Sequence, residues 1–524
     1  MPYSFVNNYS DIGNKTDYIV QNQCNEVDIL STRVPFSGIP LDVQNGKATI
    51  SAPEHHCLVV GTSGRGKTRR VLYPSAVLSA RSGHSQIIVD PKGELYRHTA
   101  NEICRCGHDV RVLDLRNPGD GDRWSPLPLI QQYWNDGDHG RASVLLKSVA
   151  TIITSKFTGD RDSYWHLAAA DCFLGFAFLL LEREKKLTFA AVHSLANDYY
   201  ARKSLRDEFR DSLNSSADSY RHLCTLMNLD SDVTLGCVLS EFNLALAPLV
   251  DQPDIRDLLI GSDFSLIDIG RRPIAYFIVI PDESSALYSI ASLFVEISYE
   301  ELLHYADSRE DNTLPVKIDY FIDEFGSLNG TDWTIKLTAA RSRGIRFVLA
   351  LQNLSQLETR YGADAAQTIL SNCRTVMFLG GRDISMMSLL STLAGNDYDK
   401  FGIARPRLTI NELSGMKTGK VVILDDTGHP RFGYLPDWSE WNIRDKAELG
   451  KTTRTLLESD TPMLSEVIND VPEIEEPTLE QEGSKSYEKG SMEEFDALFP
   501  SISDEERIRI RALLDGIINS KKSD

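Results

Sequence analysis

The segment Gly61-Thr62-Ser63-Gly64-Arg65-Gly66-Lys67-Thr68 constrains this chain more than any other. It follows the apolar run Cys57-Leu58-Val59-Val60 and precedes a stretch compatible with a helix. Strand, glycine-rich turn and helix in that order make a P-loop, whose backbone N–H groups converge on phosphates at a helix N-terminus. Gly61, Thr62, Ser63, Gly64, Arg65 and Gly66 would form the cradle, Lys67 would reach the β- and γ-phosphates, and the Thr68 hydroxyl would complete a Mg²⁺ shell. An ATPase or GTPase core is expected.

A second stretch narrows the chemistry. Ile318-Asp319-Tyr320-Phe321-Ile322 reads as a buried strand that ends in two acids, Asp323 and Glu324. In this Walker B arrangement Asp323 holds Mg²⁺ through its water shell, and Glu324 polarises the attacking water. Together with the P-loop, the pair points to hydrolysis of ATP rather than to binding alone, with ATP and Mg²⁺ as the cofactors. Gln352 ends the next apolar run, Phe347 to Leu351. A polar side chain there ends beside Asp323 and Glu324 and can sense a γ-phosphate; alternatively it caps a helix starting at Ser355. Charge on a transferred phosphoryl group commonly needs an arginine, often from a neighbouring subunit. Arg341 and Arg343, at the C-terminal end of the helix after the Walker B strand, are candidates, and Arg346 is a weaker one. Cations at that position also suit a helix C-terminus on electrostatic grounds alone. An arginine acting in trans requires an oligomer, and a ring is the natural one.

Periodicity sets the organisation. After the P-loop helix, Gln86 to Asp90 is a short apolar strand, Pro91 to Leu95 turns into a helix, and Asp109 to Leu115 is a third strand, implying parallel βαβ units. From Ile130 to Ile260 helical periodicity takes over, most clearly in Arg141–Ser155, Ser163–Arg183 and Thr234–Leu249. Strands then return at Arg272–Ile280, Lys317–Asp323, Arg346–Gln352 and Thr375–Leu379, with a long helix over Ser284–Tyr305. Gly419–Asp425 and Pro430–Leu435 read as a closing antiparallel pair. The expected division is a lead-in over 1–50, an α/β nucleotide-binding domain over 51–122 and 261–442, an inserted all-α domain over 123–260, and an acidic tail over 443–524. Residues 464–492 are rich in Glu, Ser and Pro, a composition that favours disorder. A last helix is expected from Ser503, capped with Glu506 and presenting Ile510, Leu513, Leu514, Ile517 and Ile518 on one face.

Composition excludes several classes. A chain of 524 residues with 42 % hydrophobic and 25 % charged content fits two or three ordinary globular domains. The net charge of −20 argues against nonspecific coating of nucleic acid, although a basic pore within an acidic particle remains compatible with it. The eight cysteines have no framework spacing. Cys104, Cys106 and His108 could supply half a metal site, but no second pair follows, so zinc is not expected. Met1 to Glu26 lacks the apolar run of a signal peptide. The most apolar stretch, Ala168 to Leu181, is short and carries Asp171, so a buried helix is expected there and no membrane span.

Taken in order, several motifs resemble the type IV secretion coupling proteins, the TraG/TraD-like conjugative ATPases. They are GTSGRGKT at 61–68, IVDPKGEL at 88–95, RWSPL at 123–127, SYWHLAAA at 163–170, IDEFG at 322–326, LALQNLSQLETRYG at 349–362 and ILSNCRTVMFLG at 369–380. The resemblance covers about residues 50–435. It implies a RecA-like domain with an inserted all-α domain, assembled as a homo-hexamer around a channel. It also implies ATP-driven recruitment of a relaxase-bound DNA strand (single-stranded) and its delivery to a type IV secretion channel. Residue by residue, Lys67 and Thr68 match the P-loop pair, Asp323 and Glu324 the Walker B pair and Gln352 the sensor glutamine; Arg341 looks more like the arginine finger than Arg343. Asp90 and Lys92 match a signature of unassigned role, placed here in a turn beside the phosphate site. Family members usually begin with transmembrane helices, and this sequence shows none. A cytoplasmic ring, peripheral at the inner face of the membrane and recruited by a separate anchor protein, is therefore expected. Two alternatives stay open: a soluble DNA pump of the FtsK/HerA type, which the DPKGEL stretch suits equally, and a nucleotide-dependent adaptor that delivers protein effectors. RWSPL and the helical insert favour the coupling protein; intact Lys67, Asp323 and Glu324 speak against the adaptor.

Overall fold

The computed structural model describes residues 25–443, apart from residues 53, 156–163, 212–215, 230, 330–331, 399–400, 426–428 and 442. The acidic tail and the helix expected from Ser503 lie outside the described residues.

Strand-forming runs in this chain are almost continuously apolar, and that composition dictates a sheet covered on both faces. Ser85–Pro91, Ile274–Ile280 and Ile345–Leu351 are buried at every position. In chain order the strands are β1 (Asn25–Asp28), β2 (Pro40–Gln44), β3 (Lys47–Ile50), β4 (Cys57–Val60), β5 (Ser85–Pro91), β6 (Asp109–Asp114) and β7 (Ile274–Ile280). There follow β8 (Ile318–Ile322), β9 (Ile345–Leu351), β10 (Thr375–Phe378), β11 (Asn396–Tyr398), β12 (Ala404–Pro406), β13 (Lys420–Leu424) and β14 (Arg431–Tyr434). Nine of them form the central sheet in the order β14-β13-β10-β4-β9-β8-β5-β7-β6. From β10 to β6 every pairing is parallel, and β13 and β14 close one edge antiparallel, as the sequence leads one to expect. The β11–β12 hairpin, exposed throughout, has no counterpart in the sequence reading.

Side chains alternate across a strand, so each strand feeds two cores. Leu58, Val60, Ile87, Val89, Ile322 and Leu349 face the helical block. Cys57, Val59, Ile88, Phe321, Val348 and Ala350 face α1 (Tyr73–Arg81), α2 (Glu94–Arg105) and the small β1-β3-β2 sheet. The described part of the lead-in, residues 25–50, forms that small antiparallel sheet. Arg81 Nη1 donates to the Ile29 carbonyl at 2.7 Å, and the Tyr434 N–H donates to Asp42 Oδ1 at 2.7 Å, binding it to both α1 and the sheet edge.

Between β6 and β7 the described chain is helical, from Leu127–Asn135 through His139–Thr154, Tyr164–Glu182 and Asp232–Val250 to Pro253–Leu258. The RWSPL motif stitches the two ends of this block together. Arg123 grips Asp263 through its backbone N–H (2.7 Å) and its guanidinium (2.7 and 3.0 Å), and the Trp124 N–H donates to the Leu258 carbonyl at 3.0 Å. The buried Trp124 ring packs on Phe294, 4.8 Å between centroids. Helix boundaries follow the caps: Asp232–Val250 begins two residues before the apolar pattern because Ser231 accepts the Thr234 N–H. By length and composition, Tyr164–Glu182 and Asp232–Val250 are apolar enough to cross a membrane. In the fold, 67 % of the apolar window of the first is buried, which makes it the core helix the sequence suggests; for the second the share is 28 %.

Candidate active site

In a parallel sheet the loops after the strands gather at one edge, and there the polar groups collect. Across the sheet, Gly61 follows β4, Gln352 follows β9, Asp323 follows β8 and Asp90 is the last residue but one of β5, on four consecutive strands. The loop after β4 is stitched to both neighbours, since Gly61 N–H donates to Leu351 O at 3.1 Å and Thr62 N–H to Gly380 O at 3.2 Å. Gly66 stands at φ 90°, a left-handed conformation that strains any side chain, and from it the chain enters a wide π-helical turn over Lys67–Leu72 that continues as α1. Lys67 is buried and its Nζ donates to the Gly61 carbonyl at 2.7 Å, folding back over its own loop.

Asp323 and Glu324 meet the P-loop directly. Thr68 Oγ1 donates to Asp323 Oδ2 at 2.8 Å. Burial pushes the Asp323 carboxyl up to about 6, with Glu324 adding to the rise and Thr68 and Lys67 opposing it. Glu324 itself has φ 53°, a left-handed backbone that a non-glycine residue seldom adopts. Gln352 Nε2 donates to both of its carboxylate oxygens, at 3.0 and 3.1 Å. Helix capping, the alternative use of Gln352, falls to its neighbour: Asn353 Oδ1 accepts from Gln356 N–H at 3.0 Å and from Ser355 Oγ at 2.9 Å.

The motif at 88–95 has a structural reading as well. Asp90 is wholly buried on the strand next to β8, and its Oδ2 accepts the Tyr96 N–H at 2.8 Å, holding the first turn of α2. Burial raises its carboxyl to about 7, the backbone bonds from Tyr96 and Leu95 pulling the other way and Asp323 adding to the rise. Lys92 turns the chain at φ 95° and is exposed at the same sheet edge. His108, one of the three residues of the half metal pattern in the sequence, places Nε2 2.8 Å from the His84 carbonyl.

The arginines separate into three situations. Arg341 is exposed, in a short turn that leads into β9 at the edge of the sheet opposite the P-loop. The full length of β9, roughly 20 Å at a strand's rise per residue, lies between it and Gln352, so it does not meet the other candidates within one protomer. Arg343 pairs with Asp307 at 3.1 Å. Arg346, the weaker candidate, is consumed in the interior: its Nη2 lies 2.7 Å from Asp319 Oδ2 and donates to Ser37 Oγ at 2.6 Å. Ser37 and Ser79 hydroxyls donate to the same carboxylate oxygen and His84 Nδ1 lies 3.3 Å from it. Three arginines in and just after the P-loop, Arg65, Arg69 and Arg70, make tertiary contacts that no local pattern announces. Arg65 donates to Met416 O (3.0 Å), Arg69 grips Asp437 with two bonds (2.6 and 3.0 Å) and Arg70 donates to Leu435 O (2.6 Å), clamping the P-loop to the segment around β13 and β14. Their only signal was their place in and just after the motif.

A family model described as "Type IV secretory system Conjugative DNA transfer" matches residues 7–397. The chain belongs to this family. No curated protein matches the sequence. Among solved structures, the plasmid coupling protein TrwB in complex with the ATP analogue ADPNP superimposes with a TM-score of 0.59 at 19 % identity, over 79 % of this chain and 94 % of that one. TrwB in complex with ADP and Mg²⁺ gives 0.57 at 18 % identity, over 78 % and 89 %. The unbound monoclinic form of TrwBdeltaN70, a bacterial conjugative coupling protein, gives 0.57 at 19 % identity, over 77 % and 89 %. The fold of this family member is thus the RecA-like ATPase fold with a helical domain, as the motifs imply.

Proposed function

We propose that this coupling-protein family member hydrolyses ATP to recruit relaxase-bound single-stranded DNA and drive it to a type IV secretion channel, as a homo-hexamer at the inner face of the membrane. The observation that carries this reading is the convergence of Thr68 on Asp323 at 2.8 Å and of Gln352 on Glu324 at 3.0 Å, on strands adjoining the P-loop. These residues fit a Mg²⁺–nucleotide: the Thr68 hydroxyl and the buried Asp323 carboxylate, 2.8 Å apart, are hard oxygen donors. Thr68 and Asp323 would hold the cation and Lys67 the phosphates. The chemistry the cation supplies when bound is neutralisation of charge on the β- and γ-phosphoryl oxygens. Glu324 would take a proton from water, and Gln352, which donates to both of its carboxylate oxygens, would hold that carboxylate until a γ-phosphate competes for its amide.

Steady-state ATP hydrolysis by the purified chain, with and without single- and double-stranded DNA, tests the proposal. Turnover is expected to rise with single-stranded DNA and to vanish in Lys67→Ala. Robust Lys67-dependent turnover indifferent to DNA would transfer the assignment to delivery of protein cargo.

Arg341 would complete the site from a neighbouring subunit. Arg341→Ala is then expected to lower turnover by roughly 10³-fold or more, the usual worth of an arginine finger, with ADP affinity unchanged. Mixing that variant with Lys67→Ala protein should restore part of the activity, because some mixed interfaces join an intact P-loop to an intact Arg341. Failure of every mixing ratio to restore turnover would refute action in trans.

A further inference from the structure

In the run at 349–362, the helix that follows Gln352 and Asn353, Ser355–Tyr361, lies along the whole turn after Glu324. At its first turn, Gln356 Oε1 accepts the Gln352 N–H at 3.1 Å. The Gln356 Cβ also lies so close to Gly326 that a Cβ on that glycine would stand 2.9 Å away. One helical turn later, on the same face, Arg360 Nε donates to the Leu328 carbonyl at 2.9 Å and its Nη2 donates to Asn329 Oδ1. Tyr361 stacks on Phe325 at 5.5 Å, and its hydroxyl donates to the same Leu328 carbonyl at 3.3 Å. Asn329 is buried, and its N–H donates to Ser292 Oγ at 2.8 Å on the helix Tyr288–Asp307.

These contacts bracket a residue in a sparsely populated conformation. Glu324, at φ 53°, persists there only if the flanking chain over-determines it. On its N-terminal side the strand β8 does so; on its C-terminal side the segment 325–329 has no strand or long helix of its own, only a short 3-10 turn over Phe325–Ser327. We propose that Arg360 and Gln356 are positioning residues for the hydrolytic pair: Arg360 locks the turn that aims Glu324, and Gln356 locks the backbone that aims Gln352. This rests on the reading of Glu324 and Gln352 given above. Two planar donors of a guanidinium engage two different acceptors, a geometry a lysine ammonium does not reproduce.

The test uses the full chain with Arg360→Lys, Arg360→Met and Gln356→Leu. In steady-state ATPase assays, Arg360→Lys is expected to lower kcat about tenfold or more while KM and the melting temperature stay close to wild type. Gln356→Leu should show the same split. Hydrogen exchange of the nucleotide-free protein supplies a readout independent of turnover: amides of 324–329 should exchange faster in both Arg360 variants, those of the P-loop at the wild-type rate. Unchanged kcat together with unchanged exchange over 324–329 would overturn the proposal. So would kcat and KM changing in step with a fallen melting temperature, the signature of a merely structural arginine. Arg360→Lys keeps the stem and the charge, so it carries the test if Arg360→Met does not fold. A wild type without Lys67-dependent turnover would count against the ATPase reading, while the exchange experiment still decides the positioning role.

Discussion

Glu324→Gln is expected to reduce ATP turnover by roughly 10²–10⁴-fold, the range for loss of a positioned general base, and to leave the nucleotide bound. The substitution preserves side-chain length and still offers one oxygen to Gln352 Nε2, which in the native chain donates to both carboxylate oxygens at 3.0 and 3.1 Å. It removes only the basicity. Asp323, Thr68 and Lys67 are untouched, so ATP affinity should hold and filter-retained ATP should outlast that of wild type. Single-turnover hydrolysis with labelled ATP measures both quantities. Turnover at the wild-type rate would refute the assignment of Glu324 as the base.

The largest effect on stability is expected far from that edge. Arg346→Met would leave the Asp319 carboxylate buried without its cation, and removal of one partner of such a pair costs about 3–5 kcal/mol. Burial alone would raise the Asp319 carboxyl, but Arg346 and His84 beside it hold it below the usual carboxylate range. A carboxyl depressed by folding stabilises fully above its unfolded value near 3.8, and that contribution is lost as pH falls through the lower folded value. Denaturant unfolding at neutral pH should therefore show the full loss in Arg346→Met. The double variant Asp319→Asn with Arg346→Met should recover most of it, because the isolated charge is gone. Because Ser37 bonds to both Asp319 and Arg346, the single variant should also loosen the small β1-β3-β2 sheet. A single variant as stable as wild type would show that the pair does not hold the two sheets together.

Much of the candidate site's edge was legible because local sequence encodes it. A P-loop is contiguous, its turn needs glycine at particular positions, and an acid pair after an apolar run marks a strand end. Apolar runs such as Ile274–Ile280 left little choice but a buried parallel strand. Arginine was not legible in the same way. Arg341, Arg343 and Arg346 occupy one short segment, yet one is exposed, one is paired with Asp307 and one is buried on Asp319 and Ser37, partners as far as 309 positions away. Asp90 presented the same difficulty, since its neighbours Tyr96 and Asp323 come from a following helix and a distant strand.

By itself, then, the sequence determined the strand and helix alternation, the glycine-rich loop at 61–68, the acids at 323 and 324, and the helical character of the stretch between β6 and β7. Each follows from spacing and composition within a few dozen residues. Tertiary structure alone decided that Gln352 clamps Glu324 while Asn353 caps the helix, that Arg123 and Asp263 stitch the helical block shut, and that Arg346 is an interior counter-ion. Those outcomes depend on which strands become neighbours. Neighbourhood in a nine-stranded sheet is set by the burial of two opposite faces at once, a condition that no single segment contains.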